Sequence, residues 1–222
     1  MTKLETQTAA AEAEWLQAWS QGPTRTRWER IPIQVNDLAP DFELQDASGR
    51  MVHLRDSWKG KPALLLFWRH YGCSCGRDRA ARLQQEYPRY LDLGANVVVI
   101  GQGEPERAAE YAQRNGIKCP VLCDPTFQVY RSYDLLEGKP SQVVFDASDD
   151  HLKCDLDTGR RMMESRHGTE RATVDSPWQL PGEFIVDRNG VIRLAYRYQY
   201  CEDWPNPLVL IAAIKECIWE TA

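Results

Sequence analysis

Two short apolar runs, Ala63 to Trp68 and Ala95 to Ile100, constrain the fold of this chain more than any other feature. Neither run alternates polar with apolar residues, so each predicts a strand buried on both faces, the usual condition in a parallel sheet. The segment between them turns helical near Ser74, and Pro88 predicts its stop. A strand, a helix and a strand in that order make a crossover that lays the two strands parallel. Parallel strands open a site at their carboxyl ends.

The flanking sequence extends this unit. Asp41 to Gln45 and Met51 to Leu54 alternate around the turn residues Asp46 to Gly49, which predicts a hairpin. Glu104 to Asn115 predicts a helix ending at Gly116, Pro120 to Cys123 a short strand, and Pro125 to Tyr133 another helix. Phe184 to Asp187 and Val191 to Tyr196 form a second hairpin around Arg188-Asn-Gly190. A last helix from Pro207 to Trp219 is predicted to bury Leu208, Ile211, Ala212, the stem of Lys215 and Ile218. The fold class is therefore α/β, a mixed central sheet with helices on both faces. Residues 1–36 make an N-terminal helical arm, with a helix over 1–22 whose aromatic stripe packs on the chain itself or on a partner subunit. The domain proper spans 37–222. Residues 146–179 are polar and aperiodic and predict a surface insertion.

Charge and hydropathy narrow the function classes. With 27 Lys and Arg against 32 Asp and Glu and no basic tract, no nucleic-acid partner is expected. No apolar run approaches the ~18 residues of a membrane span, and the first residues lack a signal-peptide stretch. No membrane association and a cytoplasmic location are the expectations. Seven cysteines, an odd number in a reducing compartment, argue against a framework of structural disulfides.

The chemistry gathers where the first buried strand ends, at Phe67-Trp-Arg-His-Tyr-Gly-Cys73-Ser-Cys75. A cysteine at a strand-to-helix turn meets free N–H groups and a partial positive charge. Arg69 and His70 add positive charge beside it, the setting of a reactive thiolate. Residues two apart on a helix lie ~200° around its axis, so Cys73 and Cys75 are expected to point apart, with Cys73 the exposed nucleophile and Cys75 either filler or a resolving thiol. Cys201 follows the second hairpin back toward the same end of the sheet and is a further resolving candidate. Cys119, Cys123 and Cys217 are expected to pack in the core, and Cys154 lies in the insertion.

The strand, the cysteine-bearing helix and Leu180-Pro181-Gly-Glu-Phe-Ile-Val-Asp187 together resemble the thioredoxin fold. Ala39-Pro-Asp-Phe-Glu-Leu44, the Gly49 turn, Lys59-Gly-Lys-Pro62 and Phe67-Trp-Arg-His-Tyr-Gly-Cys73 resemble the alkyl hydroperoxide reductase / thiol-specific antioxidant superfamily, near its peroxiredoxin-like branch. The resemblance implies a thiol-based oxidoreductase that needs no bound cofactor. Its substrate would be a hydroperoxide or a disulfide, its reductant a thiol donor such as a thioredoxin, and a homodimer is one arrangement to expect. The resemblance also implies that Pro181 is cis and faces the reactive cysteine. Two motifs differ from those relatives. The peroxidase proline and threonine, seven and three residues before the attacking cysteine, are Leu66 and His70 here, and C-x-x-C is replaced by Cys73-Ser-Cys75.

Two other function classes stay open at this level. Cys73 and Cys75 with Cys119 and Cys123 supply four thiolates, enough in number for an iron–sulfur cluster or a soft metal. His and Cys spacing signals no zinc site. A thioredoxin-type fold that serves as an interaction module without turnover is the third class.

Overall fold

The computed structural model describes residues 3–143 and 175–219. Seven strands form one sheet in the order β2-β1-β5-β4-β3-β6-β7. In chain order these are β1 (Glu43–Asp46), β2 (Met51–His53), β3 (Ala63–Phe67), β4 (Asn96–Gly101), β5 (Val121–Cys123), β6 (Gly182–Val186) and β7 (Ile192–Arg197). As expected of the two apolar runs, β3 and β4 are parallel, and β5 runs parallel to β4. The hairpins β1–β2 and β6–β7 join antiparallel at either side, through β5 and β3.

Successive side chains of a strand point to opposite faces, and β3 shows why a continuous apolar run is needed. Leu64 and Leu66 pack with Leu83, Tyr90, Leu210 and Ile214 on one face; Leu65 and Phe67 pack with Val129, Tyr130, Tyr133 and Phe184 on the other. The first face is covered by α2 (Ser74–Asp92), by α3 (Pro105–Arg114) and by the last helix, α6 (Pro207–Trp219). The short helices α4 (Gln128–Ser132) and α5 (Pro140–Val143) follow β5 in the chain. No helix among the described residues is long and apolar enough to cross a membrane.

Four expectations are corrected. Pro88 does not end α2, which continues to Asp92. A proline inside a helix removes one backbone bond, but the last turn places Tyr90 wholly in the core, and the helix stops at Gly94, whose φ of 76° suits glycine. The helix predicted over Pro125 to Tyr133 starts only at Gln128, because Phe127 before it is left-handed, with φ 60°. In α6 the buried residues are Leu210, Ile211, Ala213, Ile214 and Cys217, while Leu208, Ala212, Lys215 and Ile218 face outward. Its first turns are apolar all round, so hydrophobicity does not set the phase of the buried face. Residues 144–174, most of the predicted insertion, lie outside the described residues, but its end is not surface: Asp175, Pro177, Trp178 and Gln179 are buried.

The N-terminal arm contains α1 (Lys3–Gln21). Its stripe packs on the chain itself: Trp15 is buried against His70, and Trp19 stacks on Trp178 at 4.5 Å between ring centres. The Trp178 indole N–H donates to the Ala18 carbonyl at 2.8 Å.

Tyr130 ties the ends of the central strands together. The Asp124 carboxylate caps α4 by accepting the N–H groups of Val129 and Tyr130 at 2.8 and 3.2 Å. The Tyr130 hydroxyl then sits 2.6 Å from the Trp68 carbonyl and 2.9 Å from that of Ile100, just past β3 and within β4. Tyr130→Phe leaves these buried acceptors short of a donor and is expected to lower stability by about 1–3 kcal/mol, measured by chemical denaturation.

Candidate redox site

The chain leaves β3 at Phe67 and enters α2 at Ser74, and the six residues between build the site. Cys73 is the N-cap of α2, with extended backbone angles (φ −63°, ψ 132°), and its N–H donates to the His70 carbonyl at 3.2 Å. Cys75 lies in the first helical turn. The two cysteines are joined by a disulfide with 5.3 Å between their Cα atoms. This corrects the expectation that they point apart: the 200° argument holds only when both residues are helical, and Cys73 is not. Nor is Cys73 exposed, since it and Cys75 retain 0% and 3% of their accessible surface.

The local sequence also explains the spacing. At position 76, where a C-x-x-C pair would put its second cysteine, a Cβ would lie 2.9 Å from the Tyr111 hydroxyl and 3.0 Å from the Trp68 indole nitrogen. Those two groups hydrogen-bond each other at 2.9 Å in the core. The partner of Cys73 therefore stands at 75.

Arg69 organises the sulfurs. Its guanidinium is 1% exposed, and one nitrogen, Nη1, donates to Cys73 Sγ and to Cys201 Sγ, each at 3.0 Å. Its Nη2 donates to the Pro177 carbonyl. Cys201 is itself buried, and its Sγ donates to the Val143 carbonyl at 3.3 Å. Cys73, Cys75 and Cys201 thus share one cluster with Val143, Trp178 and Leu180, against which Trp19 and Trp204 pack. The topological argument for Cys201 is matched by this placement. His70 is fully buried with its ring edge-on to Trp15, 5.0 Å between centres.

Pro181 lines a small cavity together with Cys75, Cys201 and Arg69. Its peptide bond is trans, as no described peptide bond is cis, which corrects the expectation carried by the resemblance. The trans form is the intrinsically favoured one, and here Leu180 N–H and Pro181 C=O are met at 3.0 and 3.2 Å by Leu136 and Tyr198.

A buried polar network escaped the sequence reading. Glu183 lies opposite Leu66 across the β3–β6 pairing and also lines the cavity. Its Oε1 accepts from Arg79 at 2.8 Å and from the Tyr198 hydroxyl at 2.5 Å. Arg79 also reaches Glu86 at 3.0 Å, which accepts from Tyr90. Burial pushes the Tyr198 hydroxyl well above its ordinary pKa, so it stays a donor. The signal was present as a single carboxylate inside an otherwise apolar strand, Gly182 to Val186.

Cys119, Cys123 and Cys217 are buried in the core. Burial pushes Cys119 and Cys123 up to about 12, and Cys217 to about 11. Cys217 Sγ lies 3.1 Å from the Ala213 carbonyl of its own helix. Thiols so shifted carry negligible thiolate at neutral pH. The four-thiolate cluster envisaged from Cys73, Cys75, Cys119 and Cys123 is not assembled: the first two are bonded to each other, Cys119 and Cys123 pack in a different cluster, and no group of three or more His, Cys, Asp or Glu side chains placed to hold a metal ion is found among the described residues. Cys154 lies outside those residues.

A parallel βαβ unit with a cysteine pair at the N-terminus of its crossover helix, inside a mixed seven-stranded sheet, defines a thioredoxin-like fold. The comparisons agree. The profile of the AhpC/TSA family matches residues 35–195, and the chain belongs to that family. It is 33% identical over 106 residues to the thiol-disulfide oxidoreductase ResA of Geobacillus thermodenitrificans, covering 47% of this chain and 60% of that protein. The chain therefore spans about three fifths of the length of the first curated relatives that it matches. Among solved structures, a putative thiol:disulfide interchange protein DsbE from Chlorobium tepidum superposes with a TM-score of 0.55 at 21% identity, over 84% of this chain and 99% of that one. Peroxidoxin BcpB from Mycobacterium tuberculosis gives 0.57 at 14% identity, over 84% and 97%.

Arg69→Met keeps the apolar stem and removes the cation from the sulfurs. In the reduced protein the thiolate at Cys73 then loses its nearest positive charge, and its alkylation by iodoacetamide at neutral pH is expected to slow by about tenfold. Arg69→Lys should recover part of that rate.

Proposed function

We propose that the chain is a thiol–disulfide oxidoreductase that cycles Cys73 and Cys75 between dithiol and disulfide, in the reducing surroundings of the cytoplasm. The observation that carries this reading is the bond between these two cysteines at the N-terminus of α2, beside the Arg69 guanidinium. The thiolate of Cys73 attacks one sulfur of a substrate disulfide, whose S–S bond breaks; the departing sulfur takes a proton. Cys75 then attacks Cys73 Sγ in the mixed disulfide and releases the second substrate thiol. Two electrons pass from the protein to the substrate, and a thiol reductant such as a thioredoxin restores the dithiol. The helix N-terminus and Arg69 favour the thiolate that starts the cycle.

A disulfide is favoured over a hydroperoxide as substrate by the two positions that replace the peroxidase motif. Leu66 is committed to the core, and the His70 ring packs on Trp15. The full burial of Cys73, in a cluster against which Trp19 and Trp204 pack, favours a small disulfide over the surface of a folded protein.

Assays with glutathione disulfide and with hydrogen peroxide, each coupled to a thioredoxin system, test the assignment. Turnover on the disulfide should exceed that on the peroxide, oxidation should remove two alkylatable thiols mapped chiefly to Cys73 and Cys75, and Cys73→Ser should fall to background. Full turnover in that variant would overturn the reading.

A further inference from the structure

The dithiol cycle leaves one sulfur of the cluster without a role. Cys201 lies beyond β7, far along the chain from Cys73, yet both sulfurs accept from the same nitrogen of Arg69 at 3.0 Å. Two atoms bound to one nitrogen stand no further apart than twice that distance, within the range a rotamer change closes. Two hydrogen bonds to the end of α5 fix Cys201 there: its backbone N–H donates to the Gln142 carbonyl at 3.1 Å and its Sγ to that of Val143 at 3.3 Å. By contrast Cys119, Cys123 and Cys217 are held in the core, apart from this cluster.

We propose that Cys201 is a third redox thiol, which exchanges with the Cys73–Cys75 disulfide to form Cys73–Cys201 and release Cys75. The proposal rests on the dithiol reading and extends it. In the step, the Cys201 thiolate attacks Cys73 Sγ; the Cys201–Cys73 bond forms, the Cys73–Cys75 bond breaks, and its electron pair goes to Cys75 Sγ. The proton that Cys201 gives up is the one Cys75 gains, so the step is an isomerisation and needs no oxidant or reductant. The cavity lined by Cys75, Cys201 and Glu183 holds about 20 Å³, room for one water to pass the proton. Arg69 suits the exchange because it stays on Cys73 in both pairings while its second contact meets the incoming sulfur. A substrate held on Cys73 as a mixed disulfide thereby has two resolving thiols.

Disulfide mapping by mass spectrometry tests this. Cys75→Ser treated with glutathione disulfide should yield a monomer with a Cys73–Cys201 linked peptide, and its glutathione adduct should decay at least about tenfold faster than that of the Cys75→Ser/Cys201→Ser double variant. A lasting adduct on Cys73 with Cys201 still alkylatable would overturn the proposal. Should Cys75→Ser fail to fold by near-ultraviolet circular dichroism, the wild type decides. Poised in glutathione buffers and quenched with iodoacetamide, it should contain molecules in which Cys75 is alkylated and Cys73 is linked to Cys201, absent from Cys201→Ser. Their absence overturns the third thiol. A wild type that forms Cys73–Cys75 but never Cys73–Cys201 refutes the third thiol alone, whereas one that forms neither refutes the redox reading itself.

Discussion

Taking a guanidinium out of water costs several kcal/mol unless its donors find acceptors inside the protein. Arg69 meets that demand with the sulfur of Cys73 in its own loop and with a second sulfur and a backbone carbonyl drawn from two remote parts of the chain. The loop after β3 supplies the cation, the cap of α2 one sulfur, the segment after β7 the second, and Pro177 the carbonyl. Each of these segments has other anchors, but they converge at this point. Soft, polarizable sulfur is a modest hydrogen-bond acceptor when neutral and a strong one when ionised. A cation so placed stabilises the thiolate form more than the disulfide: it primes Cys73 as a nucleophile and in the same measure raises the reduction potential of the pair, so the electrons pass only to a more oxidising disulfide.

The same logic runs through the residues packed around the cysteine loop. Residues 175–179 approach from beyond the end of the sheet and are fastened by a buried bidentate pair, Arg107 with Asp175 at 2.9 and 2.7 Å. Arg107 in turn lies over the ring of Tyr71, which stacks on Tyr111. Gly101 and Gly103 leave the space that this ring fills, since a Cβ at either would overlap it. The loop that carries the cysteines is thereby pressed between β4, α3 and the 175–179 segment, while α1 closes it from outside through Trp15 and Trp19. Rigidity of this kind preorganises the sulfurs instead of leaving their encounter to chance.

Much of the fold was legible because β3 and β4 are buried on both faces and leave only one period to read. The hairpins at 46–49 and 188–190 were legible for the same local reason, turn residues flanked by alternating strands. The phase of α6 was not, because a helix apolar on every side gives no preferred face, and Pro88 misled because tertiary packing of Tyr90 outweighs one lost backbone bond. At the site, the position of the cysteines and the neighbouring cation could be read from order along the chain. Their mutual geometry could not: it turns on Cys73 standing one residue outside the helix, a boundary that no pattern resolves to a single position. The Arg69–Cys201 contact and the Glu183–Arg79–Tyr198 network are contacts between distant segments, and only the lone charge in β6 hinted at the latter.

Gly76 carries a consequence for how such a site can change over generations. The hydrogen-bonded Trp68 and Tyr111 occupy the volume that any side chain at 76 would need. Gly76→Cys, which would set a two-residue spacer from Cys73, therefore asks the Tyr111 hydroxyl or the Trp68 indole to shift and strains the bond between them. The core as packed accommodates the short spacer without movement, whereas the longer one draws on the Trp68–Tyr111 pair.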